Sequence, residues 1–335
     1  MSDASTKSEP DVSGIFAAIP TPMNERRQLD PKALQHLVEY LCSTELSGFA
    51  LFTECAEDLL LSQEERRAIL KSVASVTERK KALVISVSTP NTLEAQELAK
   101  AAEQKGTVAV LISLARYPGI GYRELYRHLE RIRKSVPLPI LLDTRPGNVL
   151  DSLSGEEVAT LLTHSGLTGA FVPGFVPGSL DPWKKRFKLE GGRSPTFLTA
   201  SSLSFLRACE QGASGAICAM AVLAPEQASK IYAAAKSKEP ARVSKLENEL
   251  KPIIEVLGPP IGERSADGLQ KITNRLARRS VLGPVLPSVF SPSLIKEALR
   301  LQGHPVRSEV RAPLESIRAD ASERLRTALT MGGLL

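Results

Sequence analysis

Carboxylates, a thiol, hydroxyls and guanidinium groups gather where short apolar runs of this chain end. Thr53-Glu54-Cys55-Ala56-Glu57-Asp58 follows one such run, Arg116-Tyr117 another, and Asp143-Thr144-Arg145 a third. Several carboxylates close together either bind a cation or raise one another's pKa for acid–base work, so Glu54, Glu57, Asp58 and Asp143 are the groups to follow. A divalent metal among them would polarise a carbonyl. None of the four histidines, His36, His128, His164 and His304, falls at the end of an apolar run to complete a ligand set. No metal and no cofactor is therefore expected: Glu57 reads as a cap or brace of the helix that follows it, and Asp58 as a solvent-facing side chain. The same lack of histidine leaves Cys55 without a base, so it reads as a passive thiol. Arg116 and Arg145 would clamp a carboxylate or phosphate bidentately, or pair with Glu54 and Asp143. No lysine occurs between Lys134 and Lys184. Lys184 and Lys185 follow Trp183 in a helical region and read as a solvated face.

The elements that must position these groups are eight short apolar runs, beginning near Gly14, Gly48, Ala82, Val108, Pro139, Thr168, Thr196 and Gly215. Each is followed by a segment of helical periodicity, the pattern of repeated βα units on a parallel sheet. Eight in series predict a closed (β/α)8 TIM barrel, whose working residues sit where strands end, at the C-terminal mouth. Asp30-Pro31 supplies an N-cap with a first-turn proline, and Ser62-Gln63-Glu64-Glu65 and Ser154-Gly155-Glu156-Glu157 fit the capping box. Beyond Ala235 the rhythm stops. Segments 241–256, 268–279, 293–301 and 314–329 read as additional C-terminal helices, joined through a Gly- and Pro-rich connection over 257–291. The expected organisation is a disordered N-terminal tail over 1–12, the barrel over 13–236, and a helical extension over 237–335 packed on it.

With 42% hydrophobic and 24% charged residues the chain can bury a large core, which excludes disorder for most of it. The formal charge of +6 comes from interspersed signs, and the densest basic stretch, Lys271 to Arg279, has no interleaved aromatics, so nucleic acid is not indicated. Cys42, Cys55, Cys209 and Cys218 show no CxxC spacing and favour reduced thiols in a cytoplasm. No run approaches the roughly 20 apolar residues needed to cross a bilayer, so no membrane partner is expected.

Several stretches carry a family resemblance. Gly14-Ile15-Phe16-Ala17-Ala18-Ile19-Pro20-Thr21-Pro22 opens the barrel, Leu61-Ser62-Gln63-Glu64-Glu65-Arg66 the second helix, Pro139-Ile140-Leu141-Leu142 the fifth strand and Gly212-Ala213-Ser214-Gly215-Ala216-Ile217 the eighth. Together with Glu94-Ala95, Leu98-Ala99, Leu125-Tyr126 and Ala224-Pro225 they resemble the dihydrodipicolinate synthase and N-acetylneuraminate lyase family of barrel lyases. The resemblance implies a lyase that captures a keto acid on a lysine, yet Phe171 stands at the lysine's position. It also puts Thr53-Glu54-Cys55-Ala56-Glu57 in place of the carboxylate-binding Gly-Thr-Thr-Gly-Glu loop, Asp143 in place of the proton-relaying tyrosine, and Asn148 in place of an arginine. Tyr117 matches the second of a tyrosine pair that relatives insert into a neighbouring subunit's site, which implies a homodimer or homotetramer. Two expectations follow. One is a divergent enzyme using Asp143, Tyr117 or Glu54 as general acid or base on a small polar ligand of keto-acid or sugar-acid type, contacted by Thr53, Cys55, Arg116, Arg145, Phe171 and Ser201. The other is a catalytically silent binding or assembly protein whose mouth is plugged by Phe171, Phe175 and Phe52.

Overall fold

The computed structural model describes residues 12–335 apart from 79, 114–119, 145–149, 151–152, 165, 174–179, 181–183, 186, 188–193, 201–204 and 258–290. Eight parallel strands close on themselves in chain order: β1 (Gly14–Ala18), β2 (Gly48–Leu51), β3 (Ala82–Ser86), β4 (Thr107–Ser113), β5 (Ile140–Asp143), β6 (Gly169–Pro173), β7 (Thr196–Ala200) and β8 (Gly215–Cys218). The barrel seam is the β1–β8 pair, with Gly14 opposite Gly215 and Phe16 opposite Ile217. Each strand starts within a residue of the place where its apolar run begins in the sequence.

Residues in register across parallel strands share a side, and successive residues alternate. One set runs Ala18, Ala50, Val84, Ala109 and, higher, Ser113, Asp143, Phe171, Leu198. The alternate set runs Leu51, Ile85, Val110, Ile140 and Ile112, Leu142, Ala170, Phe197. Eight converging strands leave little volume inside, so the set rich in Gly, Ala and Ser faces inward, and the bulky aliphatic set packs against the helices. At Gly48 and Gly169 the strands approach so closely that a Cβ would lie 2.0 Å from the carbonyl oxygens of Ala82 and Thr196, a spacing only glycine tolerates.

The helices named from sequence form where their caps put them. Helix α1 (Pro31–Cys42) is capped by Asp30, whose carboxylate accepts from the Lys32 and Ala33 N–H groups, and α2 (Gln63–Thr77) begins with the Ser62–Glu65 capping box in full. Helices α3 (Thr92–Ala101), α4 (Tyr122–Ser135) and α5 (Gly155–His164) follow β3, β4 and β5, and Ser154 and Glu157 exchange the reciprocal bonds of the second predicted box. Helix α6 (Phe205–Glu210) follows β7, and α7 (Met220–Leu223) and α8 (Pro225–Lys236) follow β8. Lys184 and Lys185 are helical and exposed, as their solvated-face reading requires.

Beyond the barrel come α9 (Pro240–Leu257), α10 (Pro292–Leu301) and α11 (Ala319–Met331). The first two lie where periodicity put them; the proposed helix over 268–279 and most of the 257–291 connection lie outside the described residues. Helix α11 starts five residues later than the sequence pattern suggested. The reason is that Arg311 is held through its backbone and its guanidinium, and the chain stays non-helical until Arg318, which is extended and serves as the N-cap. Among the described residues no helix is long and apolar enough to cross a membrane.

Candidate active site at the barrel mouth

The inward set changes character from one layer to the next. Phe16, Ala50, Val84, Ala109 and Leu198 are fully buried, whereas Ala18 (4%), Ala200 (8%) and Ile217 (4%), nearer the C-terminal ends of their strands, retain contact with solvent-sized space. Below the mouth the barrel is dry packing. At the mouth, β1, β3, β4 and β7 present only Ala18, Ser86, Ser113 and Ala200, which leave room above the floor.

Into that ring β5 and β6 project the two side chains that dominate it. Asp143 ends β5 and pairs in register with Phe171 of β6, and both are buried, 1% and 2% exposed. The pairing continues one residue further: Thr144 donates its N–H and its hydroxyl to the Phe171 carbonyl at 2.9 and 3.1 Å. On the other side of Asp143, Ser113 is its register partner. The Ser113 N–H donates to the Ser88 hydroxyl at 2.7 Å, and Ser88 and Ser86 share a hydroxyl–hydroxyl bond of 2.7 Å. One carboxylate, a bonded pair of hydroxyls and an aromatic side chain thus lie on the β3–β6 half of the mouth.

The loop after β2 supplies the opposite wall. It forms two short 3₁₀ turns, Glu54–Ala56 and Asp58–Leu60, each preceded by a non-glycine residue with left-handed backbone, Phe52 (φ 58) before the first and Glu57 (φ 56) before the second, a conformation that costs roughly 1 to 3 kcal/mol each and persists only when the surroundings impose it. The Thr21 hydroxyl ties the first strand's end to this loop by donating to the Ala56 carbonyl at 2.7 Å. Thr53 and Cys55 are buried here, and the Thr53 hydroxyl has no hydrogen-bond partner, an expensive state for a buried polar atom.

What imposes the loop's shape is a set of buried charges that sequence reasoning missed. Glu57 is not the cap or brace of α2 that its position predicts: Ser62 caps that helix, and Glu57 reaches the C-terminal extension. One of its oxygens accepts from the Lys296 ammonium and the other from the Arg311 backbone N–H at 2.8 Å. Lys296 and Glu57 are both wholly shielded from solvent, and the ammonium also donates to the Glu309 carbonyl at 2.7 Å. Burial pushes the Lys296 ammonium below the ordinary lysine range, while Glu57 pulls it back up. The Arg311 guanidinium forks onto the Glu65 carboxylate and donates to the Leu60 carbonyl at 2.9 Å. That contact lowers the Glu65 carboxyl to about 2, chiefly through the Arg311 hydrogen bond.

Arg66 completes the bracing. It is buried, donates to the Ser88 and Asp58 carbonyls at 3.1 and 2.6 Å, and lies 5.8 Å from the Phe52 ring centroid. The only foresight available was a lysine inside the apolar stretch Leu294-Ile295-Lys296 of an amphipathic helix, since lysine is almost never fully buried unless paired.

Of the residues named from sequence, Asp143, Thr53, Cys55 and Phe171 are all at the mouth. Tyr117, Arg116, Arg145, Ser201, Asn148 and Phe175 lie outside the described residues, as does the side chain of Glu54. Glu57 does not converge on Asp143 as its sequence position allowed but is turned away onto Lys296, and Asp58 is half-buried rather than facing solvent, its carbonyl holding Arg66. Among the described residues no group of three or more His, Cys, Asp or Glu side chains is placed to hold a metal ion.

Residues 11–259 match the dihydrodipicolinate synthetase family. The chain belongs to that family. It is 25% identical over 295 residues to the 4-hydroxy-tetrahydrodipicolinate synthase of Rhizobium meliloti, covering 87% of this chain and 98% of the relative. Against the synthase of the same name from Brucella abortus it is 26% identical over 151 residues, 45% of this chain, and spans about half, 52%, of that relative's length. In three dimensions it is similar to YagE, a prophage protein of the dihydrodipicolinic acid synthase family from E. coli K12 solved with pyruvate: TM-score 0.79, 22% identity, 97% of this chain and 99% of that one. It is also similar to the sialic acid aldolase of Ruminococcus gnavus, solved as a catalytic lysine mutant: TM-score 0.77, 18% identity, 96% and 95% covered. At these identities the structural likenesses establish the (β/α)8 fold alone.

Proposed function

We propose that this member of the dihydrodipicolinate synthetase family is a divergent lyase-type enzyme that works on a small polar substrate, of keto-acid or sugar-acid type, without forming an imine. The observation that carries this reading is the register pair of Asp143 and Phe171 within a ring otherwise of Ala and Ser side chains. A benzyl group cannot add to a carbonyl, so covalent capture is lost, while a buried carboxylate beside hydroxyls retains the means to move a proton. Asp143 is the general acid or base in this scheme, with Tyr117 and Glu54 as the further candidates. Thr53, Cys55, Arg116, Arg145 and Ser201 contact the substrate, and Phe171 forms the floor. The protein acts in the cytoplasm, as a homodimer or homotetramer, with no cofactor.

A second reading is favoured by the burial of Phe171 and Phe52: a silent relative in which aromatic side chains fill the former pocket. One pair of measurements separates them. Incubation with pyruvate and borohydride should leave the protein mass unchanged, and a stable adduct would overturn the loss of imine chemistry. A panel of small keto acids, sugar acids and their amino and hydroxy counterparts should then include at least one compound that raises the melting temperature, because a ligand that binds only the folded state stabilises it. A panel with no effect at millimolar concentration would favour the silent protein.

A further inference from the structure

Away from the mouth, helix α10 ends in a way that delivers one side chain to α1. Gly303 has a left-handed backbone (φ 88), and the Gly303 and His304 N–H groups donate to the Arg300 and Leu299 carbonyls at 3.1 and 3.0 Å, the paired bonds of a Schellman turn. That turn fixes where His304 leaves the helix. Its ring centroid lies 4.5 Å from that of Tyr40 and 5.9 Å from that of His36, and both of those residues belong to α1. His36 is exposed, while Tyr40 and His304 are half-buried. The charged groups on the surrounding elements are engaged with one another or with neighbouring amides. On α10, Arg300 forks onto Glu297; past the turn, Arg307 pairs with Glu25 at 2.8 Å; on α8, Glu226 pairs with Lys230 at 3.7 Å. On α1, Glu39 accepts from the Gln35 amide at 2.8 Å, and Lys32, one turn before His36, adds positive charge. Burial pushes the His304 imidazole below the ordinary histidine range, and His36 pushes it the same way; the Tyr40 phenol is pushed up by burial and by Glu226, so it stays neutral where the histidines titrate.

We propose that the His36, Tyr40 and His304 cluster is a pH-sensitive latch, which seats the end of α10 on α1 while His304 is neutral and releases it when His304 takes a proton. An imidazolium at this place gives up part of its hydration and sits beside a second imidazole that titrates in the same range, so like charges build up on both sides of the contact. The sign follows from the depressed value in the folded protein: the latch's contribution to stability is present above the unfolded value of about 6.5 and is lost as pH falls through the lower folded one. What lies beyond the latch does not share this dependence. Val306 and Val310 are buried, and Arg311 keeps its fork on Glu65, whose carboxyl is held at about 2. Mild acid therefore frees residues 302–305 and leaves the bracing behind β2 in place. The latch is independent of what the mouth binds.

The test is made on the full-length protein between pH 8 and pH 4.5. Proton NMR of the histidine rings, assigned with His36→Gln and His304→Gln, should show His304 titrating below 6.5, and His36→Gln should move its midpoint upward by removing the like charge. Hydrogen exchange read by mass spectrometry, corrected for the intrinsic effect of pH, should show the peptide spanning 299–305 losing protection by roughly threefold to tenfold between pH 7.5 and pH 5, the range that a shift of up to one pKa unit supplies, while 306–313 keeps its protection. His304→Phe retains a ring against Tyr40 but has no proton to take, so it should remove the pH-dependent loss. If that variant does not fold, His36→Gln carries the same test, because it leaves His304 on Tyr40 and should shrink the loss. A His304 midpoint at or above 6.5 would overturn the latch, since the cluster would then welcome the imidazolium. Protection of 299–305 that is flat with pH, or that falls equally in the parent and in the variants, would overturn it as well.

Discussion

Glu65 does two jobs at once. Its carboxylate closes the capping box of α2 by accepting from the Ser62 N–H at 2.9 Å, and it takes the Arg311 guanidinium from a segment 246 residues away. Because its carboxyl is held at about 2 against roughly 4.3 in an unfolded chain, the native state binds fewer protons there. The stabilisation is present above the unfolded value and drains away as pH falls from about 4.3 toward 2. Glu65→Gln should therefore flatten the acid limb of the stability–pH curve in that window, measured by denaturant melts at pH 2.5, 4 and 6. An unchanged slope would mean that Arg311 contributes little. The capping half of this arrangement is readable three residues apart in sequence; the Arg311 half is not, because nothing local marks which arginine will return.

Among the elements, the C-terminal extension does more than cover the barrel. Helix α10 and the segment after it hold the 3₁₀ turns behind β2 through Lys296 and Arg311, and Glu297 on the same helix takes Arg300 and the Ser322 hydroxyl of α11. Breaking a buried pair from one side leaves an uncompensated charge, so Lys296→Met should cost about 3 to 5 kcal/mol, whereas replacing both partners with apolar residues should recover most of it. Chemical denaturation of Lys296→Met and of Lys296→Met/Glu57→Leu checks this. If the single variant is no worse than the double, the pair does not organise the loop. Strand and helix positions were legible because period and caps are short-range signals. The late start of α11 was not, since it follows from Arg311 being pinned to a distant carboxylate.

At the scale of the whole molecule, two large apolar side chains stand exposed on the mouth face. Leu59 and Leu93, 75% and 67% exposed, stand at the N-terminal approaches of α2 and α3, and the Gln63 amide bridges those helices by donating to Glu94 at 3.3 Å. The homodimer or homotetramer proposed from the Tyr117 resemblance would cover these side chains. Sedimentation at micromolar concentration should give a dimer or tetramer, and Leu59→Asp/Leu93→Asp should shift it toward monomer. A parent protein that sediments as a monomer would count against this assembly.

Sequence alone determined the eight βα units, the strand starts, the helix caps, the family resemblance and the missing amine at β6, because alternation, capping and residue identity are properties of neighbours in the chain. Only the tertiary structure decided that Asp143 and Phe171 stand side by side, that Glu57 belongs to Lys296 across 239 residues, and that the ring above the dry core is lined by Ala and Ser. Barrel closure fixes register between strands, and register, with the burial of charge, selects partners from groups that look alike along the chain.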